Sequence, residues 1–297
     1  MLKSMETRKG RRTQWIDVQK PTERDLARLK KDFNLHPVIL EELRGPSARA
    51  RVEQYDCYLF FIYYFPLYDR KDAASVRTEI DFIVTANAVA TVHYQPLGGV
   101  LKDFKITTES SSLEVFYALL KHLLVFEERQ LRHIREKVES IGREIFRDRE
   151  KEVLEKVMVL KRDISEYRII VRLQDPILRS LLQKGKAFWD ADAEIYLNDI
   201  IGEHLKIASQ LEDYREATSD FEDTNNQLMN LKINSVMKTF TLLSFLTFPF
   251  VLLVGLFSMR AMDTPLVDQP HGFWIVVGII VSGMALLGLY FNNKKWF

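Results

Sequence analysis

A chain of 297 residues, 28% of them charged and with a formal net charge of +1, is long enough for two ordinary soluble domains. The averages conceal a split that excludes a uniformly soluble protein. Charges crowd the first 238 residues, whereas the remaining 59 carry only Arg260, Asp263, Asp268, Lys294 and Lys295, the pattern of a soluble body joined to a membrane anchor or pore.

Cys57 is the sole cysteine, so no disulfide can form within the chain, as suits a reducing cytoplasmic body. The opening "MLKSMETRKGRRTQW" has charges but no apolar core after them, which predicts no cleavable signal peptide. It reads as a floppy solvated terminus, with contact to anionic lipid or nucleic acid as the alternative. "TERDLARLKKDFN", Thr22 to Asn34, predicts a helix with Leu26, Leu29 and Phe33 on one face and Thr22, Glu23 and Asp25 suited to its start. Three β-rich runs follow, Cys57 to Phe65, Thr78 to Asn87 and Ala88 to Tyr94, dense in β-branched and aromatic residues. The junction at Asn87-Ala88 lacks the glycine of a firm hairpin signal. Together these runs predict an α/β domain over residues 1–110.

From about Ser111 the chain turns helical and heavily charged, with apolar residues at three- and four-residue steps over residues 111–238. Helical segments are expected from Ser111, from about Arg149 to Lys184, and from about Asp190 towards the membrane with no proline before Pro249. A helix that continues from there into the first span has about 60 residues and a length on the order of 90 Å, a stalk rather than a globule. On this charged region Glu127, Glu128 and His133 read as solvated surface groups. No phosphate-binding glycine loop, His-Glu-x-x-His pair or nucleophile elbow occurs anywhere, so a transporter or channel ranks above an enzyme and no cofactor is implied.

Thr239 to Met259 contains no ionisable side chain and at helical rise covers roughly 30 Å, the hydrocarbon thickness of a bilayer. Gly272 to Phe291 is a second run of the same kind. Two transmembrane helices are therefore expected, joined by an external loop (260–271) and followed by a basic tail (292–297). Lys232 and Lys238 precede the first span and Lys294 and Lys295 follow the second, which places both termini in the cytoplasm of a cell (inner) membrane protein.

The stretch "NSVMKTFTLLSFLTFPFVLLVGLF", Asn234 to Phe257, resembles the first transmembrane helix of the CorA family of divalent-cation channels. Asn234, Met237, Lys238, Thr241, Pro249 and Gly255 match its pattern without a gap. "WIDVQKPTERDLARLKKDFNLHPVILEEL" resembles the family's amino-terminal region, and "YFNNKKWF" its basic carboxyl terminus. The resemblance implies a funnel-shaped homopentamer in membrane lipid: an α/β cytoplasmic domain, a long helical stalk running into the pore helix, and an outer second helix. It implies divalent cations, Mg²⁺ or similar, as substrate and regulator, and no nucleic-acid partner. Asn234, Met237, Phe240, Thr241, Phe248 and Gly255 are the pore-lining positions it implies, with Phe240 where the family places a gating leucine. Rings of such apolar side chains close a pore by dewetting. By helical periodicity alone, Met237, Phe240 and Phe248 suit helix packing or lipid contact better than a pore, and only the family register reverses that preference.

The family also senses intracellular metal through carboxylates that face each other across protomers, and Glu42 and Asp199 occupy those positions. Hard dications take clustered oxygen ligands, so bound metal would hold protomers together and its loss would let the carboxylates repel. Two unrelated surface acids are the alternative. The selectivity-filter tripeptide departs from the family: Ser258-Met259-Arg260 stands in place of Gly-Met-Asn. Arginine has five donors, no acceptor and a permanent charge. At roughly 8 Å one such charge repels a dication by about 1 kcal/mol in water, and a ring of five by several. Arg260 turned outward, to lipid headgroups or to Asp263 or Asp268, leaves the mouth near neutral instead. Three readings follow: a CorA-like divalent-cation transporter with an altered filter, a channel of changed charge preference passing monovalent ions or anions, and a non-conducting metal-sensing scaffold.

Overall fold

A computed structural model describes residues 5–9, 13–69, 74–97, 100–101, 104, 110–147, 149–258 and 270–293. The chain divides into two compact units, Met1–Asn225 and Asn226–Phe297.

The first unit opens with two strands, β1 (Met5–Lys9) and β2 (Gln14–Gln19), then two helices, α1 (Glu23–Phe33) and α2 (Pro37–Glu42). Four more strands follow: β3 (Arg51–Gln54), β4 (Leu59–Asp69), β5 (Ala74–Val84) and β6 (Ala88–His93). They form one six-stranded sheet in the order β1-β2-β6-β5-β4-β3. All neighbours run antiparallel except β2 and β6, which pair in parallel with Trp15 opposite Val89. The expectation of a floppy amino terminus is corrected here. Met5–Lys9 is an edge strand, paired with β2 from Met5↔Val18 to Lys9↔Gln14. Its partner is supplied by another segment, which side-chain composition does not announce.

The predicted first helix forms as α1. The Thr22 hydroxyl accepts from the Asp25 backbone N–H while the Asp25 carboxylate accepts from the Thr22 N–H, a capping box, and Asn34 closes the helix in the left-handed region at φ 50°. Both faces of the sheet are covered, which is why β4 reads as an unbroken apolar run. Phe60, Ile62 and Tyr64 point into a core shared with Leu26, Leu29 and Phe33 of α1 and Ile39 of α2. Phe61, on the opposite face, packs edge-on against Phe116, with ring centroids 5.8 Å apart. Phe116 belongs to α3 (Ser112–Glu144), which begins at a second capping box formed by Ser111 and Glu114.

α4 (Glu150–Trp189) returns alongside, and its turn into the next helix passes through Asp190 at φ 69°. That helix, α5, runs without interruption from Ala193 to Ser258, 66 residues, through Pro249. At helical rise it is about 100 Å long, slightly more than expected. Gly185 of α4 meets α5 closely: a Cβ there would lie 2.5 Å from Leu197 Cδ1. The second unit holds the apolar end of α5 and α6 (Gly272–Asn293). Both helices are long and apolar enough to cross a membrane, and almost none of either apolar stretch is buried.

Candidate functional site

The apolar end of α5 has two distinct faces. At 3.6 residues per turn, Leu242, Leu246, Phe250, Leu253 and Phe257 fall on one stripe. These are the buried or half-buried residues of the segment. On α6 the half-buried residues Val276, Ile280, Gly283, Leu287 and Phe291 repeat with the same helical spacing. The two stripes meet where a Cβ on Gly283 would lie 2.9 Å from the Phe250 ring. Small residues at a helix crossing allow such an approach, and in lipid this packing is what binds helices together.

Asn234, Met237, Phe240, Thr241, Phe248 and Gly255 are all exposed. On a helical wheel their mean direction lies about 170° from the buried stripe. From Leu242 onward the helix has one stripe turned to α6, with Phe248 and Gly255 on the side away from it, while every residue from 231 to 241, Asn234, Met237, Phe240 and Thr241 among them, is exposed. Thr241 donates its hydroxyl to the Met237 carbonyl at 2.9 Å, and Thr247 donates to Leu243 at 2.9 Å. Each hydroxyl donates its proton within the helix and retains oxygen lone pairs as acceptors. At Gly255 nothing lies within 4 Å of a would-be Cβ. Ser258 ends the helix, whereas Met259 and Arg260, like Asp263, Asp268, Lys294 and Lys295, lie outside the described residues.

The two carboxylates expected to hold regulatory metal have separate partners within the chain. Glu42, at the end of α2, is clamped by both terminal nitrogens of Arg51, and the Ser47 hydroxyl donates to it at 2.8 Å. The pair is largely buried, with side-chain exposures of 20% for Glu42 and 19% for Arg51. Asp199 on α5 accepts from the Lys121 ammonium and from the Tyr117 hydroxyl, each at 2.7 Å. It is 43% exposed and its lysine 37%. The Arg51 hydrogen bonds hold the Glu42 carboxyl below its usual range, and the Lys121 bond does the same for Asp199, so both are anionic at neutral pH. Among the described residues no group of three or more His, Cys, Asp or Glu side chains is arranged to hold a metal within one chain. Arg51, Lys121 and Tyr117 were not singled out from the sequence. Tyr117 and Lys121 stand four apart on α3, so their spacing alone marks them as a surface pair.

Two readings of α3 are corrected. Glu127 is fully buried rather than solvated. It lies on the same stripe as Leu120, Leu123, Leu124, Leu131 and Ile134, the buried face of the helix. His133 is half-buried, its Nδ1 against the Gln130 carbonyl.

The sequence matches the family described as "CorA-like Mg2+ transporter protein" over residues 10–295. It is 22% identical over 291 residues to the cobalt/magnesium transport protein CorA of Thermotoga maritima, a similarity covering 95% of this chain and 83% of that protein. The fold is similar to the complete structure of the CorA magnesium transporter from Methanocaldococcus jannaschii, with a TM-score of 0.80 at 21% identity, covering 96% of this chain and 92% of that one. It is also similar to the ZntB cytoplasmic domain from Vibrio parahaemolyticus, with a TM-score of 0.59 at 13% identity, covering 73% of this chain and 88% of that domain.

Proposed function

Because the chain belongs to the CorA-like Mg²⁺ transporter family, we propose that it carries divalent metal cations, Mg²⁺ or Co²⁺, across the cell (inner) membrane as a homopentamer. In this reading it is a transport protein rather than an enzyme, and the cation is its cargo. The five copies of α5 surround the ion path with Asn234, Met237, Phe240, Thr241, Phe248 and Gly255, and α6 forms the outer ring. Both termini and the sheet-bearing unit lie in the cytoplasm.

The observation that supports the reading is that all six expected pore positions are exposed, with Phe248 and Gly255 on the side of α5 away from the stripe packed on α6. A single exposed helix face is ordinarily lipid-facing, but this one holds Asn234, Thr241 and a glycine in place of an unbroken apolar surface. Cyclic symmetry turns each of those residues into a ring. Oxygen-bearing rings suit a hydrated hard cation, while Phe240 and Phe248 supply apolar constrictions that dewet when closed.

At the outer mouth, Ser258-Met259-Arg260 replaces the family's Gly-Met-Asn and weakens the concentration of dications there without removing the path below it. Liposomes loaded with a Mg²⁺-sensitive dye test the function. Uptake of Mg²⁺ by the pentameric wild type is expected, together with a several-fold rise in uptake on Arg260→Asn. Chloride flux with no Mg²⁺ or Co²⁺ uptake would instead establish a pore of reversed charge preference. No flux of any ion would leave the chain a membrane-bound metal sensor.

A further inference from the structure

Glu127 lies at the seam where α3, α4 and β4 meet, and it is fully buried. One of its carboxyl oxygens, Oε1, accepts two hydrogen bonds: from the Tyr63 hydroxyl of β4 at 3.0 Å and from the Gln174 side-chain amide of α4 at 2.9 Å. The Gln174 nitrogen also donates to the Tyr64 carbonyl at 2.7 Å, which fixes the orientation of the amide because only the nitrogen end can donate there. The Tyr167 hydroxyl of α4 donates to the main-chain carbonyl of Glu127 at 2.7 Å. Two acceptors at this seam are left over. Among the described residues Glu127 Oε2 and Gln174 Oε1, both buried, have no hydrogen-bond partner.

A proton on Glu127 would turn one of these two acceptors into a donor for the other, on two groups already joined by a hydrogen bond. A carboxylic acid and a primary amide pair edge to edge through one N–H···O and one O–H···O bond, and here the first of these is present. We propose that Glu127 is a proton-loaded latch: a neutral carboxylic acid whose O–H is shared with the Gln174 carbonyl, fastening α3 and α4 to β4, and whose deprotonation at alkaline pH loosens that seam.

The electrostatics of the seam agree. The titratable groups acting on Glu127 are the phenols Tyr63 of β4 and Tyr167 of α4, both neutral over the ordinary pH range because burial pushes them up. Burial, opposed only by the Tyr63 and Gln174 hydrogen bonds, pushes the Glu127 carboxyl up to about 8, and no cation contributes. Its neighbour Glu128 is paired at 2.8 Å with Lys206 of α5, so that lysine is already engaged by another carboxylate. In the unfolded chain the same carboxyl titrates near 4.5. Its contribution to folding is therefore fully present below that value, declines as pH rises through the window between about 4.5 and about 8, and is lost above it.

The test uses the full-length protein in detergent micelles, wild type against Glu127→Gln, which keeps a neutral, isosteric group at the seam. The infrared difference between the two at about pH 6 is expected to contain the C=O stretch of a buried protonated carboxyl, and that band is expected to disappear by about pH 10. Between about pH 5 and about pH 9 the wild type is expected to lose several degrees of melting temperature relative to Glu127→Gln. Parallel melting profiles, or no protonated-carboxyl band at about pH 6, would overturn the proposal. Should Glu127→Gln fail to fold, Tyr63→Phe decides the matter. Removing a donor to the ionised form is expected to move the midpoint of the wild-type band to higher pH, whereas lower stability with an unmoved midpoint would show Glu127 to be merely structural.

Discussion

Asp199 and Glu42 were matched as partners in one regulatory metal site, yet the protein treats them differently. Asp199 sits in a half-exposed pair with Lys121, an interaction of order 0.5 kcal/mol that a dication displaces at little cost. Glu42 is held in a largely buried two-point contact with Arg51, and drawing it away would leave the guanidinium only its Nε contact to Glu53 at 2.8 Å. If the proposed regulatory site forms, Asp199 is the carboxylate that can exchange its cation for metal, while Glu42 needs Arg51 to move first. Thermal melts check this: Mg²⁺ is expected to raise the melting temperature of the wild type, Asp199→Ala to reduce that increase, and Lys121→Met to enlarge it. An identical Mg²⁺ response in all three proteins would count against a metal site at Asp199. The sequence made the two acids visible but not their cations, because Arg51 and Lys121 reach them through the fold. Glu127 is the reverse case. Its place three and four residues from Leu124, Leu123 and Leu131 set it on the apolar stripe, and its charge alone argued for solvent.

At the scale of elements, α5 and α6 were the most legible parts of the chain. A charge-free segment of bilayer length has few structural alternatives, and only the bounds changed: α5 continues from Ala193 to Ser258 and α6 to Asn293. The close crossing at Gly283 was not legible, since it depends on which side of each helix faces the other. Gly283→Val pushes a branched side chain into the Phe250 ring. It is expected to cost about 1–3 kcal/mol and to lower the yield of assembled protein on size-exclusion chromatography. Gly278→Ala is the control, with nothing within 4 Å of the added carbon, and is expected to behave as wild type. If Phe240 forms the proposed apolar ring, Phe240→Ala widens it, with faster Mg²⁺ uptake at high internal Mg²⁺ as the expected result and unchanged uptake as the contrary one. In the sheet, β4, β5 and β6 announced themselves through β-branched and aromatic runs. β1, β2 and β3 did not: β1 and β3 are short edge strands with few β-branched or aromatic residues, and β2 depends on a parallel ladder with β6 between segments more than 70 residues apart.

For the whole molecule, the two units place different demands on the sequence. The first carries most of its acids on its surface but buries a few, Glu127, Asp81 and Asp163 among them, in its folded core. The second exposes nearly all of its apolar surface, as a membrane and neighbouring copies require. The division of labour was legible from charge distribution alone. The proposed pore face rests on resemblance, since periodicity by itself favours packing or lipid contact. The claim that α5 turns its Asn234–Gly255 face to an ion path is the centre of the account. It is tested by measuring Mg²⁺ uptake into liposomes before and after a cationic thiol reagent, in Cys57→Ser protein carrying either Phe248→Cys or Leu246→Cys. The account predicts that the reagent abolishes uptake through Phe248→Cys and spares Leu246→Cys. Uptake unaffected at position 248, or lost equally at both positions, would contradict it.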